Sequence, residues 1–136
     1  MKPTGFIDAN IFIYAMGKEH AFKKVCMYFL ERLAEKDESL ACNVEILQEI
    51  LFFYQKRQMM SDGIRLLDLV QKIVPVIYPI QTRDLIYARD LLKTYKDIPV
   101  RDCIHASTMH YYGLNIIYSF DKDFDRLPGI RRIEPK

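Results

Sequence analysis

The segment FIDANIF (residues 6–12) carries the pattern that decides the fold. An apolar run ends at Asp8, and another begins at Ile11 with only Ala9 and Asn10 before it. We expect a short buried strand over residues 5–8 and a helical turn over residues 9–16, which Gly17 ends. A buried strand that leads directly into a helix is typical of an α/β protein.

The same change from strand pattern to helix pattern recurs along the chain. We expect further strands at residues 39–43, 74–79, 114–120 and 130–135, and helices at about 22–33, 44–58, 62–73, 82–95 and 101–112. Thr82 is the expected N-cap of one helix, and Gly113 the expected left-handed end of another. The alternation predicts a single three-layer α/β domain over residues 1–136, with a mostly parallel sheet of about five strands and helices on both faces.

Length and composition limit the possible classes of protein. The chain has 136 residues, half of them hydrophobic, and a formal net charge of +2, which suits one folded domain. Cys26, Cys42 and Cys103 are odd in number and form no CxxC motif, so we expect buried, reduced thiols and a cytoplasmic protein. No apolar run approaches the roughly 18–20 residues that a membrane span needs, so we expect no membrane partner.

Four acids lie where strands end or helices begin: Asp8, Glu49, Asp102 and Asp121. In a parallel sheet the carboxyl ends of the strands share one edge, so these distant residues are expected to converge there. Clustered carboxylates repel each other unless a cation neutralises them, and oxygen ligands suit Mg²⁺ or Mn²⁺. The pattern predicts a metal-dependent phosphodiesterase, with the number of ions left open.

Several of these assignments have rivals. Asp8 could be only a helix cap, and Glu45 competes with Glu49 as the ligand on its helix. We expect Asp125 to be an additional ligand four residues after Asp121, and Asp123 to face solvent. His105 lies three residues after Asp102 on the same helical face, where core packing is favoured over proton transfer.

Four blocks of sequence resemble those of PIN-domain nucleases, and they occur in the family's order: FIDANIFIYA, ACNVEILQEIL, PVRDCIHASTM and IIYSFDKDFDRL. Glu49 lies six positions after Asn43, which matches the family's second block and favours Glu49 over Glu45. The resemblance is greatest to the toxin subunits of type II toxin–antitoxin modules (VapC-like). It implies an endoribonuclease that leaves a 5′-phosphate, forms a homodimer and binds an antitoxin protein.

Other polar residues near these acids have expected supporting roles. Asn10, Asn43 and Ser119 are expected to orient the acids through hydrogen bonds. Arg101 and Lys122 adjoin Asp102 and Asp121, and we expect them to contact the phosphates of an RNA substrate.

Two other functions remain open. A phosphatase with Asp8 as nucleophile would need an acid two residues later, where this chain has Asn10. A non-catalytic PIN-like RNA-binding or interaction module would not need all four acids. The sequence does not identify which RNA would be cleaved.

Overall fold

The computed structural model describes residues 2–35 and 38–136. In chain order the elements are β1 (Gly5–Ile7), α1 (Ala9–Met16), α2 (Lys23–Glu35), β2 (Leu40–Asn43), α3 (Val44–Lys56), α4 (Met60–Ile73), β3 (Val76–Tyr78), α5 (Thr82–Thr94), α6 (Val100–Tyr112), β4 (Ile116–Tyr118), a 3₁₀ helix (Lys122–Arg126) and β5 (Arg131–Ile133). The predicted alternation of strands and helices is confirmed.

The five strands form one parallel sheet in the order β3-β2-β1-β4-β5. The chain runs from β1 outward to β2 and β3, and then crosses back to β4 on the other side of β1. Because parallel crossovers are right-handed, the two directions place helices on opposite faces of the sheet. The predicted three-layer α/β fold is confirmed, and its topological switch point lies between β1 and β4, where α/β proteins commonly bind ligands.

The central strands are short and apolar because helices cover both of their faces. Every residue of β1 and β2 is buried, and Phe6 and Ile7 have no exposed surface. The edge strand β3 lies between Pro75 and Pro79, in agreement with the tolerance of sheet edges for proline.

Strand β2 ends at Asn43, as predicted, whereas β1, β3, β4 and β5 end one or two residues earlier than predicted. Asp8 and Asn43 adopt extended backbone conformations at the N-caps of α1 and α3, where their side chains accept backbone N–H groups. Ser119 follows the end of β4. The polar residues that the sequence places at strand ends therefore start helices or turns at one edge of the sheet.

Two helix ends test the predicted caps. Helix α5 begins at Thr82, so its N-cap is Gln81 and the prediction of Thr82 is wrong. The backbone N–H of Gln81 donates to Asp84, three residues on, at 2.8 Å, and this contact fixes the start one residue earlier. Gly113 ends α6 with φ of 72°, a left-handed conformation that favours glycine, as predicted.

The remaining predictions about composition concern the thiols and the membrane. Cys26, Cys42 and Cys103 are free and buried, as predicted. Within residues 2–35 and 38–136, none of the helices combines the length and the hydrophobicity that crossing a lipid bilayer requires.

Candidate active site

An open cleft of about 680 Å³ lies at the carboxyl edge of the sheet, beside the switch point between β1 and β4. Its walls come from the ends of β1 and β4 and from α1, α3 and α6. Five acids line it: Asp8, Glu45, Glu49, Asp102 and Asp121. The structure therefore brings together the four acids that the sequence singled out.

Asp8 is held at both of its oxygens. Its Oδ1 accepts the N–H of Ala9 at 2.8 Å, and its Oδ2 accepts the hydroxyl of Ser119 at 2.6 Å. The Asn10 amide donates to the same hydroxyl at 3.4 Å. Asp8 is thus a helix cap and a cleft residue at once, and the residue is only 4% exposed.

Glu49 projects from α3 and is fixed from two sides. Its Oε1 lies 2.5 Å from Nε2 of His105, and its Oε2 lies 3.5 Å from the Arg101 guanidinium. Asn43 lies behind the histidine, with its amide nitrogen 3.1 Å from Nδ1 of His105. This chain of contacts connects the end of β2 to the carboxylate of Glu49.

Asp102, Asp121 and Asp123 form a second group, in which one carboxylate oxygen of each lies within 4.8 Å of the others. Asp102 is in the first turn of α6 and is 3% exposed. No N–H or O–H of the described residues reaches its buried Oδ2. The neighbouring carboxylate of Asp121 is itself an acceptor, so it can only share a proton with Asp102.

Burial and crowding disfavour the charged forms of the buried acids. Burial, reinforced by Asp121, Asp8 and Glu49, raises the pKa of Asp102 to about 9. Burial and the nearby Glu49 also raise the pKa of Asp8. A hard divalent cation would reverse this preference, and the unpartnered oxygen of Asp102 is a free ligand atom for it. The residues present therefore fit Mg²⁺ or Mn²⁺.

The two acids in the 3₁₀ helix lie differently from what the sequence predicted. Asp125 was predicted to be a ligand, but both of its oxygens accept hydrogen bonds from Arg132, at 3.0 and 3.1 Å, and it does not line the cleft. Asp123, predicted to face solvent, instead lies with Asp102 and Asp121. The tighter turn of the 3₁₀ helix separates residues four apart, which an α-helix would place on one face.

The predicted supporting and substrate residues divide in a similar way. Ser119 donates to Asp8 directly, and Asn10 donates to the Ser119 hydroxyl. Asn43 reaches Glu49 only through His105. Arg101 lines the cleft, but Lys122 is exposed and is not among the lining residues.

Glu45 and Glu49 both line the cleft, but they differ in their neighbours. Glu49 is close enough to Asp8 and His105 for one ligand atom of each to lie within 4.8 Å of the others, and Glu45 is not part of that group. Burial raises the pKa of Glu45. The geometry favours Glu49, in agreement with its spacing from Asn43.

The basic end of α3 also borders the cleft. The sequence indicated that Lys56, Arg57 and Arg65 could flank a groove, and Lys56 and Arg57 line the cleft whereas Arg65 does not. Phe52, 52% exposed, lines the same wall, and nothing in the sequence indicated that His105 contacts Glu49. The helical spacing of His105 from Asp102 indicated its face but not its partner.

Comparisons with known proteins agree with this geometry. The PIN domain model matches residues 5–130. The chain is 32% identical to VapC ribonuclease Mb1869c of Mycobacterium bovis and to Ribonuclease VapC13 of Mycobacterium tuberculosis, over 93% of this chain and 97% of each relative.

Solved structures share the fold at lower identity. VapC20 of Mycobacterium tuberculosis, a sarcin-ricin loop cleaving toxin, superposes with a TM-score of 0.78 at 16% identity, over 96% of this chain and 98% of that chain. VapBC2 from Rickettsia felis, solved with a DNA fragment from its promoter, gives 0.73 at 19% identity, over 96% and 98%. With four acids in family order around one cleft, this chain belongs to the PIN-domain family and, within it, to the VapC ribonucleases.

Proposed function

We propose that this protein is a divalent-metal-dependent endoribonuclease that hydrolyses RNA phosphodiester bonds, and that it is the toxin of a toxin–antitoxin pair. The observation that carries the proposal is the crowding of Asp102 against Asp121 in a cleft that Asp8 and Glu49 also line. Such a cluster does not stabilise the fold, because buried carboxylates without cationic partners are destabilising. Binding of a divalent ion for phosphodiester hydrolysis accounts for its presence.

Asp8, Glu49, Asp102 and Asp121 would hold Mg²⁺ or Mn²⁺, and Asp123 is a further candidate. When bound, the ion supplies positive charge against the phosphate and makes water a stronger nucleophile. The number of ions is open. The acids fall into two groups, Asp8 with Glu49 and Asp102 with Asp121 and Asp123, so two ions could bind, one at each group.

The chain's own residues position both the acids and the substrate. Ser119 and the N–H of Ala9 hold the carboxylate of Asp8 in one orientation. Arg101, Lys56 and Arg57 line the cleft and supply positive charge for the phosphates that flank the cleaved bond. Phe52, half exposed on the same wall, offers a face on which an unpaired base can stack.

The burial of Asp8 argues against the phosphatase alternative. An aspartate nucleophile needs an ionised oxygen that attacks phosphorus. Burial raises the pKa of Asp8 and disfavours that ionised form. The chain also lacks the second acid of that enzyme class, since Asn10 stands there.

We extend the proposal to the partners and the compartment. One solved protein of this fold is described as a toxin–antitoxin complex, and others carry the VapBC name, which supports an antitoxin protein here. The homodimer is part of the proposal through the resemblance of the sequence to VapC-like toxins. The three buried free thiols support a reducing compartment, the cytoplasm.

The test is cleavage of a pool of tRNA, rRNA and mRNA by the purified protein, with Mg²⁺, with Mn²⁺ or with EDTA. We expect metal-dependent fragments with 5′-phosphate ends, and an Asp8→Asn variant that folds but does not cleave. Asp90→Asn is the matched control, because Asp90 is an exposed surface residue paired with Arg89 and Lys93.

Turnover of p-nitrophenyl phosphate without RNA cleavage would favour the phosphatase. Folded protein that binds RNA but does not cleave it with either ion would favour the non-catalytic module. In cells, expression of the wild type is expected to arrest growth, whereas Asp8→Asn is tolerated.

A further inference from the structure

His105 is a fully buried histidine that lies between the end of β2 and the cleft. Its ring nitrogens contact Asn43 on one side and Glu49 on the other, at 3.1 and 2.5 Å. It has no exposed surface. A histidine in contact with a cleft carboxylate can be a ligand, a proton carrier or a support, and the hydrogen bonds of Asn43 distinguish these roles.

The orientation of the Asn43 amide is fixed by the start of α3. Its Oδ1 accepts the N–H of Ile46 at 3.0 Å, which a flipped amide could not do. The Nδ2 group therefore faces Thr108 Oγ1 at 2.8 Å and His105 Nδ1 at 3.1 Å. Both hydrogens of the amide point at acceptors.

The amide in turn selects the tautomer of the histidine. Because Asn43 donates, Nδ1 of His105 must accept and carries no proton. The ring proton is then on Nε2, directed at Oε1 of Glu49. A helix cap thus determines which histidine nitrogen faces the cleft as a donor.

We propose that His105 is a positioning residue whose Nε2–H holds Glu49 in the orientation that binds the divalent ion. The inference rests on the proposed function and adds a specific support to it. With a proton on Nε2 the ring has no lone pair to offer a metal ion at the cleft. It acts on the site only through the carboxylate that it orients, as the partners of metal ligands commonly do.

The first test needs no ion and no substrate. Long-range ¹H–¹⁵N NMR of the ion-free protein reports the tautomer of each histidine. We expect His105 to show only the Nε2-protonated form. A proton on Nδ1, or rapid exchange at His105, would overturn the proposal.

The second test measures Mn²⁺ affinity by calorimetry in two variants. His105→Leu removes the donor, and we expect roughly 10–100-fold weaker binding. His105→Gln places an amide N–H near the position of Nε2, and we expect it to recover much of the affinity. His110→Leu makes the same change at an exposed position of α6 and is expected to bind as the wild type does.

The outcomes distinguish orientation of Glu49 by His105 from simple packing of the ring. Unchanged Mn²⁺ affinity in His105→Leu would mean that the ring only packs, and equal losses in the Leu and Gln variants would contradict orientation by a donor. If the Leu variant does not fold, the NMR result on the wild type still decides. Wild-type protein with the expected tautomer but without RNA cleavage would refute the function rather than the contact.

Discussion

Two groups of acids lie at the cleft, and their most buried members are held in different ways. Asp8 and Glu49, the tethered acids, accept hydrogen bonds from Ser119, Ala9 and His105. Asp102, Asp121 and Asp123, the crowded acids, lie against one another, and the buried oxygen of Asp102 accepts nothing from the described residues. The tethered acids are oriented before any ion binds, whereas the crowded acids need a cation to be stable together.

This difference indicates how the work is divided. Asp8 is oriented by two neutral donors, the hydroxyl of Ser119 and the N–H of Ala9, whereas Glu49 also lies 3.5 Å from the Arg101 guanidinium. In the other group Asp123 pairs with Arg126, but buried Asp102 lies against Asp121 without a cationic partner among the described residues. Binding of a cation would relieve the repulsion at Asp102.

The largest effect is expected from Asp102→Asn, which removes a crowded acid. We expect a loss of RNA cleavage of more than about 100-fold, because loss of a direct ligand should exceed the loss of a ligand's support. The free energy of unfolding of the ion-free protein should rise, because repulsion is relieved. Urea denaturation in EDTA, with Asp90→Asn as the control, measures this; a fall in stability with full activity would remove Asp102 from the site.

A smaller effect is expected from Ser119→Ala, which releases a tethered acid. Oδ2 of Asp8 would lose its donor, and we expect roughly 10–100-fold weaker Mn²⁺ binding by calorimetry. In contrast to Asp102→Asn, the ion-free protein should lose about 1–3 kcal/mol of stability, because a buried oxygen is left unsatisfied. A gain in stability would mean that Asp8 is not tethered by this bond.

The stability of the ion-free protein should fall as pH rises through the neutral range. The pKa of Asp102 is raised from 3.8 to about 9 in the folded state. A raised pKa means that the folded state holds the proton more tightly. The stability that Asp102 contributes through this proton is therefore fully present below about pH 4. It falls as pH rises from about 4 to about 9, because the folded state must then give up the proton. Denaturation midpoints across this range measure it, and Asp102→Asn should show a flatter profile.

The smallest effect is expected from Asp125→Asn. Asp125 pairs with Arg132 at the surface and is 51% exposed, so the change should cost less than about 1 kcal/mol. Cleavage and Mn²⁺ affinity should stay at the wild-type values. A loss of Mn²⁺ affinity would return Asp125 to the site.

The sequence predicted the edge of the sheet at which the acids meet, for a physical reason. Asp8 and Asn43 stand where an apolar run changes period from strand to helix, and that junction can be read locally. The parallel sheet then requires the two junctions to meet at one edge. The order of the elements, the edge position of β3 and the left-handed Gly113 follow from equally local patterns.

What the sequence could not predict depends on partners that are distant along the chain. Asp125 was assigned by α-helical spacing, but Arg132 of β5 pairs with it, and the segment turns as a 3₁₀ helix. The contact between His105 and Glu49 depends on how α3 and α6 pack, which no local period encodes. Such contacts are set by tertiary packing and need coordinates.

The double duty of Asp8 and Asn43 affects how the protein should be dissected. Each begins a helix with a side chain that also serves the cleft, which Asp8 lines directly and which Asn43 supports through His105. An alanine scan would delete a cap, at about 0.5–2 kcal/mol, together with the chemistry, so an inactive alanine variant would be ambiguous. Asn in place of Asp8 keeps an oxygen for Ala9 and the shape of the side chain, while it removes the charge and the acceptor that faces Ser119. Isosteric exchange, which preserves the cap, is therefore the informative strategy for this enzyme.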